Sequence, residues 1–343
     1  MKLALALAPA LLLATAPASG ARQAAGGTQE GAPSPVKTSE LAEAARLTSE
    51  VVRLHGEGKF AEALPLAERA LAIREKSLGG EHPLVANALL NVATLLTARE
   101  KYQQAEDYYR RAAAVYEKAG ADLQVADARR QLGAVLARRG DHSSAQTALE
   151  SAVAHAEKAG DGGRAVSADS LNLLAQVYLS RGDVERAAPA WQRARSTWRA
   201  LYGKDDPRVE AAEDAMLCFS VRALKPDKWA EFNGRVAALE EEATGVDPKA
   251  ALRAAGVLQG KVIRKPPPKY PDDARARGVM GTVIVRVVVD EAGKVISAKS
   301  ICGPPQLAAA SEEAARQAVF TPTLLSGQPV KVTGVITYNY VLR

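Results

Sequence analysis

The residues able to do covalent or acid–base chemistry are few in this chain, and their spacing suits none of the common reactions. Two cysteines, Cys218 and Cys302, stand far apart, and no CxxC occurs. The four histidines, His55, His82, His142 and His155, show no metal-ligand spacing among themselves. Asp127 with Asp169, and Glu312 with Glu313, are carboxylate pairs of the kind that charged helix surfaces produce routinely. There is no nucleophile elbow, no phosphate-binding glycine loop and no HExxH. The sequence therefore points away from an enzyme and away from any cofactor or metal. In an oxidising compartment Cys218 and Cys302 would pair if their Cα atoms came within about 7 Å. With Cys218 on a helix and Cys302 at a strand end, two small buried thiols are the simpler reading.

Charge is unevenly spread. The chain is formally +6, and Lys261 to Arg343 alone holds twelve Lys/Arg against six Asp/Glu, so the excess sits at the C-terminal end. A basic domain suits nucleic acid, an anionic lipid surface or acidic peptides. No helix-turn-helix, RNP-like or zinc-finger pattern accompanies it, which argues against nucleic acid. At the other end, Lys2 precedes an apolar run from Leu3 to Ala16, and small residues allow cleavage after Ala18 or Ala21. Residues 1–21 therefore read as a signal peptide, which implies export to a periplasm; an uncleaved leader would anchor the chain in the inner membrane. No other apolar run approaches the roughly twenty residues of a spanning helix. Residues 22–39 read as a disordered leader rich in Gly, Pro and Ser.

A repeat follows. Ala63, Ala105, Ala145 and Ala187 are spaced by 42, 40 and 42 residues. Twelve positions before them stand Val51, Ala93, Gly133 and Ala175, and seven after them Ala70, Ala112, Ala152 and Ala194. Four after them stand Ala67, Tyr109, Leu149 and Trp191. Small residues let two antiparallel helices approach, larger ones fill the groove beside the crossing, and such hairpins must stack to bury their apolar faces. The pattern over residues 40–222 resembles the long, 42-residue form of tetratricopeptide repeats, as in kinesin light chains: about four repeats plus a capping helix. The resemblance implies a peptide-binding groove lined by the first helix of each hairpin. Its candidates are Asn87, Thr94, Asp127, Arg130, Arg138, Asp169, Asn172 and Gln176. Residues 223–264 read as one more helix, with Trp229, Phe232, Val236 and Leu239 on one face, and then a linker.

The remainder, 265–343, has period two. Val283, Val285, Val287 and Val289 share one strand face, opposite Thr282 and Arg286. In the last strand Val332, Ile336, Tyr338, Tyr340 and Leu342 alternate with polar residues. This is the pattern of an antiparallel sheet covered on one side, here by a helix around Leu307, Ala310, Ala314 and Ala318. The order Lys269-Tyr270-Pro271, strand, turn at Glu291 to Lys294, strand, helix, Phe320-Thr321-Pro322 and closing strand resembles the C-terminal domain of the TonB family. The fold expected is thus an all-α tetratricopeptide solenoid followed by a small α+β two-layer TonB-like domain.

That second resemblance implies binding by strand addition. A partner's extended peptide would pair with the edge Val335, Ile336, Thr337, Tyr338, Asn339, Tyr340 and Val341 and touch the preceding segment Pro267, Pro268, Lys269 and Tyr270. The chain departs from the family where Pro and Lys replace polar Gln in that segment, and where Ala318 replaces a Trp. The expected function is a periplasmic adaptor. One protein sits in the repeat groove, and the box peptide of an outer-membrane transporter, or another extended peptide, sits on the edge. The alternatives are an envelope-assembly scaffold with no transport role, or a membrane-anchored energy transducer should the leader stay in place.

Overall fold

The computed structural model describes residues 35–244, 261–325 and 328–342. The expected signal peptide, the leader up to residue 34 and linker residues 245–260 lie outside the described residues. The chain divides into two compact units, the first ending at Leu174 and the second beginning at Ala175.

The first unit is helical: α1 (Pro35–Gly56), α2 (Phe60–Leu78), α3 (Pro83–Ala98), α4 (Tyr102–Lys118), α5 (Asp122–Arg139), α6 (His142–Lys158) and the first part of α7 (Arg164–Ser180). Helix α1 begins at Pro35, inside the stretch that composition assigns to a disordered leader. Proline fits a first helical turn, and no Gly or Pro interrupts the chain again before Gly56. Ala44, Leu47, Val51 and Leu54 then form a buried stripe at helical spacing, and Ala44 and Leu47 pack with Ala70 of α2.

The small repeat positions do what their size suggests. Ala63, Ala105 and Ala145 are fully buried, as are Ala93, Ala112 and Ala152. At Gly133 a Cβ would stand 2.5 Å from Leu149 Cγ, so the glycine makes room for the larger residue of the next helix. The turns within hairpins share one left-handed residue: Gly58 (φ 72°), Glu100 (φ 58°) and Gly140 (φ 90°). Glu100 is the one non-glycine residue with positive φ among the described residues.

The second unit holds the rest of α7, then α8 (Val184–Tyr202), α9 (Pro207–Ala223) and α10 (Pro226–Thr244), followed by the strands. Asp206 caps α9, its carboxylate accepting the Arg208 N–H at 2.8 Å. The main sheet is antiparallel with order β3 (Val295–Cys302), β2 (Gly281–Val289), β7 (Val332–Tyr340). Short strand β1 (Val262–Arg264) pairs with β4 (Val319–Phe320), so the sheet domain starts slightly before residue 265; β5 (Leu324–Leu325) pairs with β6 (Gln328–Pro329). Helices α11 (Asp272–Ala276) and α12 (Pro305–Arg316) complete it.

One face of the sheet carries Val283, Val285, Val287, Val289, Ile336 and Tyr338, packed with Leu307, Ala314 and Ala315 of α12. Tyr340 closes this core, its hydroxyl 2.9 Å from Ser311 Oγ. Ala318, where the family has Trp, is buried as well.

The expectation of a sheet covered on one side needs correcting. Ile284, on the opposite face, is also fully buried, and α9 packs against β3. Leu342, expected inside, is 39% exposed because β7 ends at Tyr340.

Candidate functional site: the β7 edge and its surroundings

In the β3-β2-β7 ladder β7 is the terminal strand, and among the described residues no strand pairs with its outer side. Within an antiparallel ladder a residue turns its N–H and C=O to the same side, and successive residues alternate. The Thr337 carbonyl accepts a hydrogen bond from the Lys265 ammonium at 2.7 Å. That contact assigns Val335, Thr337 and Asn339 to the outward set, while Ile336, Tyr338 and Tyr340 send their side chains into the core. Val341, expected as part of the edge, lies beyond the strand and is 63% exposed.

The segment before β2 runs beside this edge. Lys265 Nζ also sits 5.0 Å above the Tyr338 ring, a cation–π contact. Tyr270 meets Tyr340 edge-to-face at 5.2 Å and donates its hydroxyl to the Val279 carbonyl at 2.5 Å. Pro267 and Lys269 are exposed, and Pro268 is half-buried. Lys265 is the residue that sequence reading missed here. It lies two positions before the expected contact segment, and no local motif marks it.

The sheet's other face is fastened to α9. Arg286 reaches Glu210 at 2.6 Å and Asp214 at 2.8 Å, and Lys299 reaches the same carboxylates at 2.8 and 3.3 Å. Beside them Cys218 of α9 is disulfide-bonded to Cys302 at the end of β3, with Cα atoms 5.7 Å apart. This overturns the reading of two free buried thiols: the sheet docks on α9 and brings the strand end to the helix. Lys299 and Arg286 together hold the Glu210 carboxyl below the usual range. A depressed carboxylate contributes stability above its ordinary pKa and loses it as pH falls through the folded-state value. The melting temperature of wild type should therefore exceed that of Glu210→Gln at neutral pH and converge with it only as pH falls through the lowered carboxyl value. An acid-insensitive gap between the two would contradict these ion pairs.

In the repeats, several expected groove residues turn inward. Thr94 is 3% exposed and lies 3.4 Å from both Tyr109 Oη and Gln131 Oε1. Tyr109 donates to Gln131 at 3.1 Å, and Gln131 donates to Asp127 at 2.7 Å. Arg130 binds the other Asp127 oxygen, and the Tyr116 hydroxyl donates to Asn87. Burial pushes the Tyr109 hydroxyl up, so it stays a neutral donor. Asn172 and Gln176 are each 8% exposed, whereas Arg138 and Asp169 are half-buried. Thr94, Asn172 and Gln176 are thus largely enclosed rather than solvated. An Asp127-centred network joins α3, α4 and α5 in place of a row of solvated side chains.

Most of the residues first considered for chemistry have structural partners, although His55 Nε2 and His142 Nδ1 are buried without a hydrogen-bond partner among the described residues. His82 Nδ1 accepts the Leu84 N–H at 3.1 Å and caps α3. His155 meets Asp122, and the His55 ring lies 5.3 Å from that of Phe60, tilted by 60°. Glu312 accepts the Ser300 N–H, whereas Glu313 binds Gln317.

Residues 52–118 and 124–200 match the tetratricopeptide repeat profile, and residues 266–342 match that of the Gram-negative bacterial TonB protein C-terminal. The chain carries tetratricopeptide repeats and a TonB-type C-terminal domain. Helix α9, which docks on that domain, and helix α10 fall between the matched segments. Among solved structures, a Podosopora anserina putative kinesin light chain with nearly identical TPR-like repeats is 20% identical. The match covers 60% of this chain and 99% of that one, with a TM-score of 0.47. BtubC (BKLC) from P. vanneervenii is also 20% identical, covering 68% and 96%, with a TM-score of 0.45. No curated protein matches the chain. Both modules point to protein partners.

Proposed function

We propose that this chain is an exported, periplasmic adaptor that captures an extended peptide on the outer edge of β7 while its repeats hold a second protein. The observation that carries the reading is the terminal position of β7 in a domain matching the TonB C-terminal profile. Backbone groups of an unpaired edge supply affinity to any extended chain, and neighbouring side chains select among them. Lys265, now on the Thr337 carbonyl, must yield that acceptor to the incoming strand, which makes the edge guarded and not merely vacant. The box peptide of an outer-membrane transporter fits this chemistry, and the apolar run at Leu3 to Ala16 supports export.

The test is capture of envelope proteins on the full chain and on Val335→Pro and Thr337→Pro variants. Proline removes one outward donor and is tolerated on an edge strand, whereas Ile336→Pro strikes the paired, buried side. Capture of transporters by wild type should drop at least tenfold in both outward variants while their circular dichroism stays unchanged. Equal capture by folded proline variants would refute edge pairing.

A further inference from the structure

We propose that the cleft where the start of β7 meets α8, α9 and α10 is a side-chain pocket for one large apolar residue, aromatic or leucine-like, of the peptide that pairs with β7. The inference rests on the edge-pairing reading above and adds a selectivity to it. The cleft measures about 120 Å³. Trp191, Met216, Phe232 and Val236 form its apolar walls, and the Thr333 to Val335 stretch of β7 closes another side. An apolar cavity of about 150 Å³ accommodates benzene, so the volume suits one ring or one branched aliphatic group.

Register fixes which peptide residue arrives there. Val335 faces Arg286 across the ladder, so its side chain lies on the sheet face that meets α9. Cross-strand neighbours share a face. The peptide residue beside Val335 therefore sends its side chain towards the cleft, and the next residue along sends its side chain to the opposite face. The existing ion pairs disfavour an ionised occupant, although Arg195 Nε and Asp214 Oδ1 are buried without a hydrogen-bond partner among the described residues. The charges around the cleft are already matched, Arg195 with Glu240 at 2.6 Å, Arg199 with Glu213 at 2.6 Å, and Arg286 with Asp214 at 2.8 Å. An incoming charge would lose water without gaining a counter-ion. The pocket also needs both parts of the unit: its walls are helical, its open strand belongs to the sheet, and the Cys218–Cys302 bridge ties the two together.

The experiment is selection of a displayed library of random linear peptides on the oxidised full chain, followed by binding of the synthetic winners by fluorescence anisotropy. The expected winners share a large apolar residue at one position, and changing it to Ala weakens binding about tenfold to a hundredfold. Filling the cleft from α10 with Asn233→Trp, or independently from α9 with Leu217→Trp, should erase that preference while leaving sensitivity to Val335→Pro. Winners that depend on Val335 but show no apolar preference, or keep it in both filled variants, overturn the pocket and leave edge pairing standing. If no winner is weakened by Val335→Pro or Thr337→Pro, edge pairing fails and the pocket falls with it.

Discussion

Replacing Gly293 with alanine is expected to destabilise the sheet domain by about 3 kcal/mol or more, read as a lowered denaturant midpoint of the full chain. Gly293 sits in the turn between β2 and β3 with φ 82°, a conformation that costs an L-residue roughly 1–2 kcal/mol. The larger penalty is steric. A Cβ would lie 2.0 Å from the Phe320 carbonyl oxygen and 2.9 Å from its carbon, both backbone atoms that no rotamer change can move. Nor can the turn retreat. The Gly293 carbonyl accepts the Phe320 N–H at 2.8 Å, and Asp290 accepts the N–H groups of Ala292 and Lys294. Phe320 is itself a core residue, 4% exposed, so displacing its backbone disturbs the packing under α12. Gly278→Ala is the control, since Gly278 shares the positive φ but has only Leu342 Cδ1 at 4.0 Å. It should cost about 1 kcal/mol. Equal losses at the two positions would mean that the turn does not press on Phe320.

The same residues show how far a sequence reaches. The turn at Glu291 to Lys294 is legible because Gly sits between two period-two segments, but its contact with Phe320, 27 positions on, is not. The repeats are legible for a related reason. Identical hairpins impose identical steric demands, so small residues recur at fixed spacing and mark buried crossings such as Ala105 and Ala145. Groove side chains are harder. Thr94 and Asn87 have the polarity of solvated helix residues, yet cross-helix partners such as Tyr109 and Tyr116 draw them into bonds that spacing does not encode. The docking of the sheet on α9 is not legible, because Arg286 and Lys299 look like ordinary outward charges until Glu210 and Asp214, one helical turn apart, are placed opposite them. Ile284 was the available clue, a large aliphatic on a face that needed only polar residues.

Removing the Cys218–Cys302 bridge, by the double serine variant, should lower the stability of the second unit by about 4–5 kcal/mol on the loop-closure account. The bridge spans 84 positions of sequence, and entropy withheld from the unfolded chain grows with the length enclosed. The ion pairs of Arg286 and Lys299 with Glu210 and Asp214, both cations partly exposed, remain to hold the sheet on α9. Partly exposed pairs contribute at most about 1 kcal/mol each and weaken with salt. Both the serine variant and the oxidised wild type should therefore lose a similar, small amount of stability between low and high ionic strength. Reduction of wild type should reproduce the variant. Arg222 places its guanidinium 3.7 Å from Cys302 Sγ. Matching denaturation curves for oxidised wild type and the serine variant would show that the two cysteines do not constrain the chain.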